Sequence, residues 1–253
     1  MFYEQMAAHY QWIFPAMPKV PFLLKHFAHH PLLLDIGCSD GRVAQGLNEK
    51  GHSVIGIDLS ETMIQVAKTL PSTSALHFLQ LDMLKTPDHF GGESADGIYC
   101  IGNTFVHLPD LTAMEEAISG FYKTLKPGGR LIVQILNYAW YLDNRPRNLP
   151  LIDNEIVRFE RFYSYLWGGP DATCTGVDFS TTLTIKATGE MYSGTTRLFP
   201  LEKKDLEALA LKVGFEALEW YGDYTGAGYS PNSTTLLLVA DKPSSTIIKN
   251  PEK

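Results

Sequence analysis

The stretch Leu32-Leu33-Leu34-Asp35-Ile36-Gly37-Cys38-Ser39-Asp40-Gly41-Arg42 constrains the fold more than any other. An apolar run of strand length carries an acid near its end and passes into a turn of small residues. The chain then continues in a helix-like pattern through Val43-Ala44-Gln45-Gly46-Leu47. Strand, tight turn and helix in immediate succession are how an open α/β sheet offers backbone N–H groups to a ligand at the carboxyl end of its first strand. The two glycines are expected where a Cβ would collide with that ligand. A dinucleotide site requires G-x-G-x-x-G. Counted from Gly37, the second and third glycine positions hold Ser39 and Arg42, which disfavours a nicotinamide oxidoreductase.

At 253 residues the chain allows one α/β domain with an insertion, or two small domains. A net charge of −7 with no long basic run argues against nucleic acid or an anionic membrane as the partner. Cys38, Cys100 and Cys174 are odd in number and widely spaced, which predicts reduced thiols in a cytoplasmic protein rather than a disulfide frame or a metal site. Glu4 and the lack of a long apolar core near Met1 argue against a signal peptide, and no stretch reaches membrane-spanning length.

Three further strands end in residues suited to a nucleoside. Ser53–Ile57 leads to Asp58, 23 positions after Asp35, close to the interval at which α/β nucleotide sites place an acid on the ribose hydroxyls. Ser60 is an expected helix N-cap, and Leu59 and Met63 are placed to cover a base. Leu76–Leu81 ends at Asp82-Met83. A carboxylate there can accept from an adenine amino group or simply cap a helix. Asp96–Ile101 runs into Gly102-Asn103-Thr104-Phe105-Val106-His107-Leu108. A helix is predicted over 110–126, a Pro127-Gly128-Gly129 turn after it, and a fifth strand over Leu131–Leu136.

Asp35, Gly37 and Gly41, then Asp58, Asp82 and Gly128-Gly129 in order, resemble the class I S-adenosylmethionine-dependent methyltransferases. Gly-Asn-Thr-Phe-x-His-Leu resembles a segment of their glycine/sarcosine N-methyltransferase branch. The resemblance implies a Rossmann-like, doubly wound seven-stranded sheet over residues 31–140 and 200–242. It also implies an N-terminal lid over 1–30 and an antiparallel β cap inserted after the fifth strand over 141–199. The alternating pattern of Val177–Ala187, the turn at Thr188-Gly189, and Glu190–Phe199 predict a hairpin in that cap, with Ile156–Leu166 as its third strand. Glu202–Gly214 is expected as an amphipathic helix. Phe215–Asp223 and Thr234–Ala240 are expected as a last hairpin, with a frayed tail from Asp241.

The resemblance implies S-adenosylmethionine as cofactor and S-adenosylhomocysteine as product. The cofactor residues it points to are Tyr10, Asp35, Gly37, Cys38, Ser39, Asp58, Leu59, Met63, Asp82, Met83, Ile101 and Gly102. Asn103, His107 and Tyr138 are the candidate catalytic residues, and Asn103, Asn137, Tyr138, Tyr192 and Arg197 the candidate acceptor residues. No metal is expected, because the fourth-strand end has Asn103 without adjacent acids. The family's glycine enzymes carry an arginine where Leu136 stands, which puts glycine as acceptor in doubt. Arg158, Arg161 and Arg197 are alternative anion holders or ordinary solvated strand charges. The expected reaction is methylation of a small molecule, on the nitrogen of an amine or amino-acid-like metabolite. O- or S-methylation and a non-catalytic cofactor-binding protein are the alternatives, and the oligomeric state is open, a homodimer included.

Overall fold

The computed structural model describes residues 6–16, 19–71, 73–168 and 173–244. Tyr3 and the tail beyond Ser244, both singled out in the sequence, lie outside them.

Seven strands form one sheet: β1 Leu32–Ile36, β2 Ser53–Asp58, β3 Leu76–Gln80, β4 Ala95–Cys100, β5 Leu125–Leu136, and, after an insertion, β10 Glu216–Tyr221 and β11 Thr235–Asp241. Their order is β3-β2-β1-β4-β5-β11-β10. β1 to β5 run parallel, and β11 pairs antiparallel to β5. The chain winds outward from β1 to β3 and then returns to β4 on the other side. A crevice therefore opens beyond the carboxyl ends of β1 and β4, where such sheets bind ligands.

Both sheet faces are covered, so the strands read as apolar runs rather than alternating ones. On one face Leu33, Val54, Phe78, Tyr99 and Ile132 pack beneath α2 Lys19–His26, α3 Arg42–Asn48 and α4 Glu61–Ala67, with Leu23, Leu47 and Ile64 in the layer, while α1 Tyr10–Ile13 packs outside it through Ile13. On the other face Leu34, Ile36, Ile98 and Val133 pack against α6 Leu111–Thr124 and α8 Lys203–Val213, with α5 Thr86–Phe90 beside α6. Ser60 caps α4 by accepting the Met63 N–H, and Asp110 caps α6 through Ala113.

Two boundaries differ from expectation. α6 stops at Thr124, and β5 begins at Leu125 and takes in the Pro127-Gly128-Gly129 turn, because Leu125 already pairs with Ala95 across a register shift. The start of the tail is pinned rather than frayed. Lys242 is buried, and its Nζ donates to the carbonyls of Tyr122 and Leu125 at 3.0 and 2.7 Å.

After β5 comes α7 Tyr138–Asn144, then a separate antiparallel sheet: β6 Ile152–Asp153, β7 Val157–Gly168, β8 Thr173–Ile185 and β9 Met191–Leu198. It contains the predicted hairpin and third strand, and the two-residue β6 adds a fourth. Val157, Phe159, Leu183 and Ile185 pack on Met6, Ala7, Ile13 and Met63, so one end of this cap closes on the N-terminal segment and α4.

Candidate active site

The turn after β1 alternates into the left-handed region at Gly37 (φ 73°), Ser39 (φ 45°) and Gly41 (φ 77°). It is fastened to the end of β2. The N–H groups of Gly37 and Cys38 both donate to the Ile57 carbonyl at 2.8 and 2.9 Å, and the Ser39 N–H donates to Asp58 Oδ2 at 2.9 Å. The glycines are also required by the protein's own packing, a constraint added to the ligand clearance expected of them. A Cβ on Gly37 would stand 2.3 Å from Thr104 Cγ2, and one on Gly41 2.6 Å from Phe78 Cζ. Cys38 lends the turn its backbone, while its buried side chain packs beneath Gly56 and its pKa is pushed up by burial.

Asp35 is buried on the face that carries Tyr99, and burial raises its pKa to about 7. The neighbouring Tyr99 hydroxyl and the Lys19 charge oppose that shift. Neither Asp35 Oδ2 nor the Tyr99 hydroxyl has a well-formed hydrogen bond, although both are buried. The two groups face each other across the β1–β4 pair, and a buried carboxyl satisfied only by so poorly formed a contact has acceptor capacity left for a ligand. Tyr224, close enough to feel the charges of Asp35 and Tyr10, donates to Gln134 Oε1 at 2.9 Å; the same oxygen takes the Gly102 N–H at 2.7 Å. Lys19 and Tyr224 are thus both near Asp35, with Tyr10 near Tyr224, and an ammonium group set beside Asp35 would satisfy it.

On the β2 side, Asp58 accepts from Ser39 and Ser60 through different oxygens, both at 2.9 Å. A carboxylate has about four lone-pair sites, so acceptor capacity for a diol is left over. Leu59 beside it is 70% exposed, an open apolar flank. Met63 is buried in the core against Met6 and the cap. Asp82 caps the short turn Met83–Lys85 through Leu84 N–H at 3.0 Å, and Met83 is half-buried beside it.

The β4 end turns at Gly102 and Asn103, both left-handed, after buried Ile101. Asn103 bridges to the β5 end. Its Oδ1 accepts the Leu136 N–H at 2.9 Å, and its Nδ2 donates to the Tyr138 hydroxyl at 3.1 Å. Asn137 is fully buried and commits its Nδ2 to the carbonyls of Pro231 and Ser233 at 3.2 and 2.8 Å, holding the β10–β11 loop. His107 lies on the turn Phe105–His107, which packs on β9. Surrounding protein pushes its pKa down, while its exposed surface lets water offset part of that shift. Either way the imidazole is neutral at pH 7.

Comparison with known proteins identifies the cofactor a chain of this kind uses. Residues 33–129, from β1 to the Gly-Gly turn, match the family described as methyltransferase domain. The chain is an S-adenosylmethionine-dependent methyltransferase. It is 26% identical over 215 residues to the glycine/sarcosine N-methyltransferase of Halorhodospira halochloris, covering 83% of this chain and 75% of that one. It is 32% identical over 107 residues to the ubiquinone biosynthesis O-methyltransferase of Idiomarina loihiensis, covering 42% of each. The CcbJ methyltransferase of Streptomyces caelestis has the same fold, with a TM-score of 0.79 at 20% identity over 96% of this chain and 98% of that one.

In this methyltransferase the residues present fit the cofactor. Asp35 has the orphaned oxygen a methionine ammonium would take, Asp58 retains acceptor capacity for a ribose, and Leu59 offers an apolar flank. The sequence reading missed Gln134, Lys19, Tyr224 and Arg42. Gln134 carried a signal, as the one polar residue in the run Leu131–Leu136. Arg42 donates to Asp40 at 2.7 Å and to the Phe14 carbonyl at 3.1 Å, clamping the N-terminal segment to the turn. The two acceptor residues expected from the cap lie apart. Tyr192 packs inward beside Leu183, whereas Arg197 stands on the outer face, exposed and paired with Asp178 at 2.5 Å.

Proposed function

We propose that the enzyme methylates the nitrogen of a small amine or amino-acid-like metabolite. The observation that carries this reading is the Asn103–Tyr138 hydrogen bond, which joins the β4 and β5 ends directly beneath a wall of cap and α7 tyrosines. Tyr138 neighbours Tyr141, Tyr141 meets Tyr163 edge-on at 5.7 Å, and Tyr163 contacts Tyr165 and Phe179. S-adenosylmethionine, when bound, supplies a methyl carbon already activated by its sulfonium.

What the chain must do is hold a lone pair in line with that carbon and exclude water. Asn103 is fixed by Leu136 and Tyr138, so its amide is a rigid positioning group. The aromatic wall makes the site poorly solvated. This favours the neutral amine, the form with a lone pair, over its ammonium. Neutral His107, at the edge of the same loop, is the residue placed to accept the proton released after transfer. Tyr10, Asp35, Gly37, Cys38, Ser39, Asp58, Leu59, Met63, Asp82, Met83, Ile101 and Gly102 form the cofactor side, with the buried Met63, Ile101 and Cys38 shaping it through packing. The similarity to a glycine/sarcosine N-methyltransferase supports nitrogen as acceptor.

A panel of amines, amino acids, phenols and thiols, scored by release of S-adenosylhomocysteine, tests the reading. Turnover is expected with members of the amine set. Turnover confined to phenols or thiols would overturn it, and binding of cofactor without turnover of any acceptor would favour a non-catalytic role.

A further inference from the structure

Strand β7 alternates over most of its length. Val157, Phe159, Arg161, Tyr163 and Tyr165 are on the sheltered face, and Arg158, Glu160, Phe162, Ser164 and Leu166 on the open one. The two ends of the sheltered face are accounted for by packing. Val157 and Phe159 press on the N-terminal segment and Met63, while Tyr163 meets Tyr141 of α7. Arg161 lies between them, its cross-strand neighbours being Thr181 and, one strand further, Gly194. That middle position lies between the contact with the N-terminal segment and the contact with α7, with its guanidinium carbon 5.9 Å from the Phe159 ring centre and within reach of the Tyr163 and Tyr141 hydroxyls.

A charge here needs an explanation. Arg161 Nη2 donates to the Pro150 carbonyl at 2.7 Å, and its Nε is buried with no partner. Among the described residues Arg161 makes no ion pair, and the groups whose charge reaches it are Tyr163 and Tyr141. The other two arginines of the cap behave as surface charges: Arg158 pairs with Asp153 and Glu160, and Arg197 with Asp178. A half-buried guanidinium left without an acid among aromatic rings is an unfinished fork, matched by a planar oxyanion.

We propose that Arg161 is the anion anchor of the acceptor pocket and receives a carboxylate carried by the methyl acceptor. For the acceptor's nitrogen this rests on the amine reading above; for the anion it does not. Arg161 then sets specificity from the cap, opposite the Asn103–Tyr138 pair, and the acceptor is held at both ends.

The test uses matched pairs: amino acids beside their uncharged amides, assayed with wild type, R161K and R161M. Methionine keeps the packing on Phe159 without the charge. The expected result is a wild-type preference for the carboxylate member that falls about 10- to 100-fold in R161M through KM and is partly restored in R161K, the amides losing much less because a neutral amide oxygen accepts more weakly than a carboxylate. Equal losses on acid and amide, or an unchanged preference, would overturn the proposal. A second arm titrates benzoate and inorganic phosphate into the S-adenosylhomocysteine-loaded protein by calorimetry. Benzoate binding in wild type and not in R161M upholds the anchor even where no amine is methylated, which isolates a failure of the nitrogen reading. Absence of benzoate binding in wild type, or Arg161-dependent binding of phosphate alone, would overturn the carboxylate.

Discussion

Replacing Asp35 with asparagine removes the most perturbed carboxylate of the cofactor side without changing its size. Burial raises the Asp35 pKa from 3.8 to about 7. A carboxyl group with a raised folded-state pKa lends stability that is complete below its unfolded pKa and is lost as pH rises through the folded one. At about 1.4 kcal/mol per pKa unit, this group alone costs the ligand-free protein about 2–3 kcal/mol between pH 5 and pH 8. The amide introduced by D35N does not titrate, so the gap between the two proteins isolates the term from every other ionisation. Urea unfolding of both at pH 5 and pH 8, without cofactor, should show D35N gaining on wild type by about 2 kcal/mol across that interval. Binding of S-adenosylmethionine should move the other way, weakening by about 10- to 100-fold as the partner of its ammonium is lost. A stability gap that stays constant from pH 5 to pH 8 would refute the argument. So would unweakened cofactor binding, because it would leave the orphaned Asp35 oxygen without its assigned partner.

Other perturbations address the remaining parts of the site. Asp58→Ala should weaken cofactor binding by about 1.5–3 kcal/mol, read by calorimetry on a protein shown to be folded. Ser39→Gly should relieve a side chain from the left-handed region, raising unfolding stability by up to about 1 kcal/mol with cofactor affinity retained. Asn103→Ala and Tyr138→Phe should each lower turnover while cofactor affinity stays near wild type; normal turnover in both would move the acceptor pocket away from the pair. Exhaustive chelation should leave activity intact, and a loss restored by magnesium would replace nitrogen methylation with a metal-assisted O-methylation.

Those parts of the fold governed by local rules were legible in the chain. Ser60 caps its helix because a short oxygen-bearing side chain three residues before Met63 can do little else there, and Asp58 ends its strand at the interval that brings it beside the first turn. What depends on distant partners was not legible. The residues that forbid a Cβ on Gly37 and Gly41 are Thr104 and Phe78, far along the chain, so this second reason for the glycines is visible only in the packing. The cap had a similar ambiguity. Period-two alternation separates Arg158 and Arg161 onto opposite faces of β7, but both faces mix aromatic and polar residues, and the sequence does not say which is turned inward. Burial of Val157, Phe159 and Tyr163 decides it, and with it which arginine can meet a ligand.

Arg42 joins these levels. In the sequence it is the residue that breaks the dinucleotide pattern, by occupying the place of the third glycine. That glycine's purpose is close packing of helix on strand; here the Arg42 side chain leaves the turn instead, pairs with buried Asp40, and reaches the Phe14 carbonyl. The same substitution that excludes one cofactor class therefore fastens the N-terminal segment next to the turn. Tyr10, four residues before Phe14 and in ring contact with it at 5.0 Å, is thereby brought toward Tyr224 and the Asp35 space. The N-terminal segment is thus seated by a residue of the turn that begins the candidate site.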